Sequence, residues 1–271
     1  QNEQEVTRSL QDLNRMKTNF IVVTSHEMRT PLTVLKGFHE VLLSEYLGLL
    51  TGAQRQSLET CQRMVDRLNA NFDDILEMLK INEGATALNV TEFDLRTVIN
   101  EIHTEVSVFL DRRHQKLMID CPEVLDIKAD RAKLQLILME IIQNAIKFSY
   151  DGGIIFLNVA IDNHQLQVTV KDQGIGIDKS ELSKIFDQFY TSADPSTHSS
   201  GRYEFGARGA GLGLSIARSY TESHGGRIWA ESDGPGQGSR IQVRIPLHTV
   251  VSGQPQPQIP SATTFGSVLE K

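Results

Sequence analysis

The stretch "SHEMRTPL", residues 25–32, places a proline five residues after a histidine in a segment whose apolar spacing predicts a helix. Proline lacks an amide hydrogen, so Pro31 cannot donate to the Glu27 carbonyl, and its ring pushes that carbonyl away. We therefore expect the helix to bend or loosen between these two residues. Beside this weak point lies His26, whose imidazole titrates near neutral pH and suits an approaching protein surface. An incidental surface histidine next to a kink is the alternative.

The same stretch does not form the signature of a zinc protease. That signature requires His-Glu-x-x-His on a helix, and Thr30 occupies the position of the second histidine.

The segments around this stretch predict a helical hairpin. Apolar residues at intervals of three or four, from Val6 through Phe20 to Val23, predict one helix from the first residue to about residue 47. Thr51 and Gln54 then form a capping-box pattern, and a second helix is predicted to run to about residue 82. A lone hairpin leaves its apolar stripe exposed, so we expect a second copy to cover it in a four-helix bundle.

Beyond a predicted hinge in "NEGA" (82–85), segments typical of strands alternate with segments typical of helices. Strands are predicted at 88–93, 116–121, 153–161 and 165–171 and twice within 227–247, and helices at 94–113, 130–149 and 210–224. This order predicts an α+β domain whose mixed sheet is covered by helices on one face. We place the domain boundaries at 1–83, 84–248 and 249–271, the last being a tail or linker rich in Gln, Pro, Ser and Thr.

Composition restricts the function classes. The 271 residues suffice for about two domains, and the net charge of −7 argues against a general nucleic-acid binder. Cys61 and Cys121 show no metal-ligand spacing, so we expect reduced thiols in a cytoplasmic protein. No run approaches the roughly 20 apolar residues that cross a bilayer. Because the chain does not begin with methionine, we expect a piece of a longer protein, with any membrane anchor upstream.

Two glycine-rich segments suit a nucleotide ligand. "DQGIGI" (172–177) follows an apolar strand, and Asp172 can accept a hydrogen bond from an exocyclic amine such as that of adenine; an ordinary turn is the alternative. "GAGLGLSIA" (209–217) leads into a helix whose first amides suit phosphates. It lacks the Gly-Lys-Ser/Thr of a Walker loop and the βαβ setting of a dinucleotide fingerprint.

A third segment, "EIIQNAIKFS" (140–149), lies inside a predicted helix. Glu140, Asn144 and Lys147 stand at i, i+4 and i+7 and share one face. A carboxylate, an amide oxygen and an ammonium suit Mg²⁺ bound to phosphates, because magnesium prefers oxygen ligands and keeps several waters. A solvated polar face is the alternative.

In this order, the segments resemble the H, N, G1, F and G2 boxes of bacterial sensor histidine kinases, over roughly Asn14 to Leu247. The matching stretches are "HEMRTPL", the Asn144 helix, "DQGIGI", "IFDQFY" and "GAGLGL". The resemblance implies a dimerisation and phosphotransfer hairpin followed by an ATP-binding α/β sandwich of the Bergerat (GHKL) type. It also implies ATP and Mg²⁺ as cofactors, a homodimer, and the receiver domain of a response regulator as partner.

By this resemblance His26 is the phosphoacceptor, whose neutral imidazole attacks the γ-phosphorus of ATP. Glu27 orients or deprotonates the ring. Thr30 completes a pattern associated with positioning water for dephosphorylation of the regulator, which makes phosphatase activity a further hypothesis.

The resemblance also assigns the nucleotide site. Asn144 coordinates Mg²⁺ with help from Glu140, Lys147 meets the phosphates, and Asp172 binds the adenine amine. We call the segment between the F and G2 boxes, residues 190–208, the lid. The other implied residues shape the adenine wall, anchor the lid, supply lid cations or cradle the phosphates: Gly174, Gly176, Phe186, Phe189, Arg202, Arg208, Gly209, Gly211, Leu212 and Gly213. For the two phenylalanines, core packing is compatible with the same role.

Three positions depart from the family pattern. Many relatives carry asparagine at the position of Glu140, whereas glutamate is typical of the gyrase, mismatch-repair and chaperone ATPases of the same nucleotide fold. Gln188 and Thr191 stand where arginines are common, so Lys147 and the lid arginines Arg202 or Arg208 are expected to supply that charge. Three readings therefore stand: an active histidine kinase, an ATPase of the same fold, and a non-catalytic dimeric scaffold.

Overall fold

A computed structural model of the chain describes residues 23–24, 27–82, 87–191 and 211–247. The predicted site residues His26, Arg202, Arg208 and Gly209 lie outside the described residues. The predicted coiled-coil seam before Val23, the hinge at Gly84 and the C-terminal tail lie outside them as well.

The first described unit is the predicted helical hairpin. Helix α1 covers residues 27–43, and helix α2 covers Gly52–Asn82. The capping box is confirmed, because the Gln54 N–H donates to Thr51 Oγ1 (3.3 Å) and the Thr51 N–H donates to Gln54 Oε1 (2.9 Å). The first helix ends at residue 43 rather than 47, because the backbone turns at Glu45 (φ 57°) and Gly48 (φ 134°). Pro31 lies inside α1 without ending it, and the bend predicted there stays a prediction.

Two ion pairs set the register of the hairpin. Arg29 Nη2 lies 2.5 Å from Asp73 Oδ1, and Lys36 Nζ lies 3.2 Å from Asp66 Oδ1. A step of seven residues forward on α1 corresponds to a step of seven residues back on α2, so the two helices run antiparallel. A residue of α1 and a residue of α2 lie at the same level when their residue numbers add up to about 102.

The second unit is the predicted α+β domain. In chain order it comprises β1 Val90–Asp94, α3 Leu95–Arg112, β2 Lys116–Asp120, β3 Asp126–Asp130, α4 Arg131–Phe148, β4 Ile154–Asp162, β5 Gln165–Lys171, α5 Gly213–Ser223, β6 Arg227–Glu231 and β7 Arg240–Pro246. Five strands form a sheet in the order β2-β4-β5-β7-β6, in which β2 and β4 are parallel and the other pairs antiparallel. The mixed sheet is thus confirmed.

One strand was not predicted from the sequence. Strand β3 pairs antiparallel with β1 in a separate two-stranded sheet, with Phe93 opposite Ile127. Its sequence, "DIKAD", is short and mostly polar, so it lacks the run of β-branched or aromatic residues that indicates a strand. Pairing with β1 and burial of Ile127 and Ala129 stabilise it instead.

The core lies between the large sheet and the three helices α3, α4 and α5. Alternate residues of the central strands point into it, such as Leu166, Val168 and Val170 of β5, while their neighbours Gln167 and Thr169 are more exposed. The apolar stripes of the helices pack on this one face. None of the helices within the described ranges has the length and apolar content needed to cross a membrane.

Candidate nucleotide-binding site

The polar face of helix α4 carries the predicted magnesium and phosphate residues. Its opposite face, including Ile141, Ile142 and Ala145, is buried in the core, so Glu140, Asn144 and Lys147 are turned toward the other side. Within the described residues, no hydrogen bond holds the Asn144 side-chain amide. Its oxygen is therefore available as a ligand.

The charged residues of this face are partly desolvated. Burial raises the pKa of Glu140 to about 7, and the nearby carboxylate of Asp74 on α2 contributes. Burial likewise lowers the pKa of Lys147, with a further contribution from Arg67 of α2. The Lys147 ammonium also lies 4.9 Å from the centroid of the Phe148 ring. The attraction between a bound cation and polyanionic phosphates would be stronger here than in water, because charge interactions strengthen where water is excluded.

Helix α5 begins against Glu140. A Cβ atom placed on Gly213 would lie 2.0 Å from Glu140 Oε2, so only glycine allows this carboxyl group to approach the first turn of α5. Leu212 occupies the N-cap position and makes no side-chain cap hydrogen bond. The first amides of α5 are therefore free of a side-chain cap and lie next to the polar face of α4, as a phosphate site requires.

The predicted adenine residue Asp172 is buried. Its Oδ1 accepts hydrogen bonds from the N–H groups of Gly174 (2.9 Å) and Ser239 (3.2 Å), and its Oδ2 accepts one from the Ser239 hydroxyl. Burial raises the pKa of Asp172, and these hydrogen bonds oppose the rise. A carboxylate has about four acceptor positions. Three are used within the protein, which leaves one for an exocyclic amine.

The loop with the predicted adenine residues (172–177), which we call the adenine loop, is joined to the C-terminal end of α4. Ser149 and Gly174 form an isolated β-bridge, and the Ile175 N–H donates to the Phe148 carbonyl (3.1 Å). A Cβ atom on Gly174 would lie 2.0 Å from that carbonyl oxygen, so the close approach requires glycine. Gly176, the other predicted glycine of this wall, has φ 71°. One helix end therefore positions both the predicted magnesium residues and the predicted adenine wall.

The two predicted lid phenylalanines have different environments. Phe186 is buried in the core, whereas the Phe189 side chain is 64% exposed. The Phe189 N–H donates to the carbonyl of Gly211 (3.0 Å), so the chain before the lid lies beside the chain after it. Core packing therefore fits Phe186 and not Phe189.

Some residues that build this site were not predicted. Ser239 lies opposite Asp172 where β7 pairs with β5, and the glycine-rich "GPGQGS" (234–239) was the signal available in the sequence. Arg113 and Gln115 hold the end of α4: Arg113 donates to the carbonyls of Ile146, Lys147 and Ser149, and Gln115 to those of Ile146, Ser149 and Tyr150. Side-chain to carbonyl contacts of this kind leave no pattern in a sequence.

The remaining predicted residues lie on the hairpin. Glu27 and Thr30 are exposed on the first described turns of α1. Among the described residues, no cluster of three or more His, Cys, Asp or Glu side chains could hold a metal ion. The donors beside the phosphate site are the oxygens of Asn144 and Glu140. One or two protein oxygens suit Mg²⁺ that arrives with a nucleotide, so the residues present fit this ion.

Comparisons with known proteins agree with this geometry. Residues 129–249 match the family model "Histidine kinase-, DNA gyrase B-, and HSP90-like ATPase", and residues 16–84 match the "His Kinase A (phospho-acceptor) domain". The circadian input-output histidine kinase CikA of Synechococcus elongatus is 34% identical over 253 residues, which make up 92% of this chain and 32% of CikA. The sensor histidine kinase WalK of Bacillus subtilis is 29% identical over 243 residues, 86% of this chain and 37% of WalK.

The fold comparison points the same way. The crystal structure of full-length ShkA in complex with AMPPNP matches with a TM-score of 0.66 at 25% identity, over 85% of this chain and 46% of the ShkA chain. The chain belongs to the histidine kinase family, with a phospho-acceptor domain followed by an ATPase domain. It spans about a third of the length of CikA and of WalK.

Proposed function

We propose that this chain is the catalytic core of a sensor histidine kinase, which phosphorylates His26 with ATP and passes the phosphoryl group to an aspartate of a response regulator. The observation that carries the proposal is the junction at the end of α4. There a buried carboxylate with one open acceptor position, Asp172, lies beside a helix face with a free amide oxygen, Asn144. The family match supplies the expectation that such a site serves a histidine.

The residues have separate roles in this reaction. Asp172 accepts from the adenine amine, and Lys147 with the first amides of α5 neutralises the phosphates. Asn144 and Glu140 would hold Mg²⁺, which supplies charge neutralisation of the phosphate oxygens when bound. The His26 imidazole forms a nitrogen–phosphorus bond as the bond to the leaving ADP oxygen breaks. Glu27 takes the imidazole proton.

The proposal extends to the partners of the hairpin. We propose that two chains form a four-helix bundle through their hairpins, with the domain boundaries at 1–83, 84–248 and 249–271. Thr30, exposed one turn after His26 in the chain, would position water for dephosphorylation of the regulator. We place the reaction in the cytoplasm, where free thiols such as Cys61 and Cys121 stay reduced.

Labelling with γ-labelled ATP and Mg²⁺ tests the proposed reaction. We expect label on the wild-type protein that is lost in acid and kept in base, as expected for a phosphoramidate, and no such label on His26→Gln. Phosphate release without protein label would support instead an ATPase of the same fold, which Glu140 makes the leading alternative. ATP binding with neither product would indicate a scaffold.

A further inference from the structure

Helix α2 of the hairpin contacts helix α5 of the nucleotide domain through a small, specific set of side chains. The Tyr220 hydroxyl donates to Glu77 Oε1. One turn closer to the start of α5, Ser215 Oγ lies 3.9 Å from Met78 Sδ, and Met78 is buried in the core of the nucleotide domain. This contact therefore combines an apolar anchor with one directional hydrogen bond.

Tyr220 is held on the nucleotide domain by its own surroundings. The residue is 2% exposed, and the Lys133 ammonium lies 5.6 Å from its ring centroid. Lys133 Nζ also donates to the Ala87 carbonyl (2.7 Å) and to Asp130 Oδ2 (2.9 Å). These contacts within the nucleotide domain hold the Tyr220 ring in the orientation in which its hydroxyl faces the hairpin.

Glu77 is a charged acceptor for this hydrogen bond. Burial raises its pKa, but hydrogen bonds from Lys80 and Tyr220 and the charge of Lys133 outweigh burial and hold the pKa below its usual value. Burial and the same contact raise the pKa of Tyr220, so the phenol keeps its proton. A phenol that donates to a carboxylate makes a charge-assisted bond, which is about twice as strong as a neutral one.

The register of the hairpin gives the level of this contact. Because Arg29 pairs with Asp73 and Lys36 with Asp66, Glu27 lies level with Ile75. Glu77 and Met78 are within one turn of that level. The contact to α5 is therefore made at the end of the hairpin where Glu27 lies on α1.

The same contact lies close to the phosphate end of α5. Ser215, which meets Met78, is two residues from Gly213, whose backbone lies against Glu140. From Ser215 to Tyr220 the helix advances only about 7.5 Å. Along the axis, Ser215 therefore lies about 3 Å from Gly213 and Tyr220 about 10 Å from it, so the contact with α2 covers the two turns that follow the amides proposed to bind phosphates.

We propose that Tyr220 and Glu77 are positioning residues for phosphoryl transfer: their hydrogen bond fixes the phosphate end of α5 at the level of the phosphoacceptor motif. Neither residue touches the reacting atoms. The apolar contact of Met78 would allow α2 and α5 to slide past each other, and the directional hydrogen bond prevents this movement. The inference rests on the proposed kinase function and adds to it the contact that sets the transfer geometry.

The substitution Tyr220→Phe tests this, because it keeps the buried ring and removes only the hydroxyl. At saturating ATP and Mg²⁺ we expect the rate constant for acid-labile labelling to fall by at least about tenfold, the factor that one hydrogen bond to a charged group supports. We expect the dissociation constant for ATP, measured by calorimetry, to stay within twofold of the wild type. Tyr150→Phe, which removes a hydroxyl from an exposed tyrosine, is the matched control and should label at the wild-type rate.

A second variant on the hairpin separates positioning from folding. Glu77→Gln keeps an acceptor and loses the charge, so its labelling rate should fall less than that of Tyr220→Phe. The double variant should be no slower than Tyr220→Phe alone, because residues that act through one bond are not additive.

The outcomes distinguish this inference from the proposed function. Labelling of Tyr220→Phe at or above the wild-type rate would overturn the positioning role, and so would a loss of ATP affinity equal to the loss of rate. If the wild-type protein itself forms no acid-labile label, the kinase proposal fails and this inference fails with it.

Discussion

At the scale of single residues, the site depends on the hydrogen bonds that favour the charged form of the buried Asp172. Three hydrogen bonds oppose the effect of burial on its pKa, and Ser239 supplies two of them. The hydroxyl of Ser239 is the part that can be removed without disturbing the backbone. Its loss should raise the pKa of Asp172 further and favour the protonated acid, which cannot use the same oxygen to accept from adenine.

We therefore expect Ser239→Ala to bind ADP about fivefold more weakly at pH 7.5, the effect of one hydrogen bond of about 1 kcal/mol. The deficit should grow as the pH falls from 7.5 to 6, because the Ser239 hydroxyl favours the charged form of Asp172. Calorimetric titration at both pH values measures this. Ser223→Ala, whose hydroxyl bonds only within α5 to Ser219, is the control. An equal deficit at both pH values would contradict the explanation through Asp172.

A second residue-scale prediction concerns the effect of the buried Asp74 carboxyl on stability. Burial raises its pKa to about 6, and Asp73 beside it contributes. In the unfolded chain the group ionises near pH 3.8, so above that pH the folded state must either hold the proton or bear a desolvated charge. The resulting cost to the free energy of unfolding begins near pH 4 and is complete above pH 6.

Asp74→Asn should therefore be as stable as the wild type near pH 3.5 and more stable at pH 7.5. The gain should be at most about 3 kcal/mol, since each unit of pKa shift is worth about 1.4 kcal/mol. Thermal unfolding followed by far-ultraviolet circular dichroism at the two pH values gives the difference. Glu59→Gln, an exposed carboxyl on the same helix, should show no such pH dependence.

At the scale of elements, the C-terminal end of α4 is held by Arg113. Its guanidinium is 3% exposed and donates to three carbonyls that the helix leaves unpaired, and its Nε pairs with Asp151 at 2.8 Å. A cation here also complements the negative end of the helix dipole. The adenine loop is joined to the same helix end, so loosening it would displace both sides of the nucleotide site.

Arg113→Met should lower the free energy of unfolding of the nucleotide domain by about 3 kcal/mol, because it removes the side-chain donor to the Lys147 carbonyl and the partner of Asp151. Gln115 keeps its hydrogen bonds to the other two carbonyls. Urea unfolding followed by the fluorescence of Trp229, the single tryptophan, reports on this domain. Arg131→Met, which removes a surface pair with Glu101, should cost under about 1 kcal/mol. Similar losses in the two variants would mean that Arg113 does not hold the helix.

The elements also show what a sequence can reveal. Helices α3 and α4 were predicted to within a residue or two, because an aspartate that caps each one, Asp94 and Asp130, precedes a strong apolar stripe. Strand β3 was missed because its pairing with β1, and not its composition, stabilises it. Arg113 and Ser239 were missed for a related reason. Their roles depend on which carbonyl or carboxylate folding brings near, and spacing along the chain does not encode that.

At the scale of the whole molecule, the contact between α2 and α5 joins residues far apart in the sequence, and the proposed pairing of hairpins joins two chains. Some of the apolar residues left exposed on the hairpin lie at matching levels on its two helices. Phe38 (64% exposed) and Val34 (54%) lie on α1, and by the hairpin register they are level with Met64 (45%) and Leu68 (43%) of α2. Apolar side chains at matching levels on two antiparallel helices are what a second hairpin needs to complete a four-helix bundle.

The substitution Phe38→Glu tests this surface directly. In a twofold-symmetric bundle each substitution occurs twice, so two carboxylates would enter an apolar interface and neither could be solvated there. We expect the wild-type chain to sediment as a dimer at micromolar concentration and Phe38→Glu to sediment as a monomer in analytical ultracentrifugation. Phe156→Glu, an equally drastic change on the exposed side of β4, should leave the dimer intact. A wild-type monomer, or a Phe38→Glu variant that still dimerises, would place the contact between chains elsewhere and leave this apolar surface unexplained.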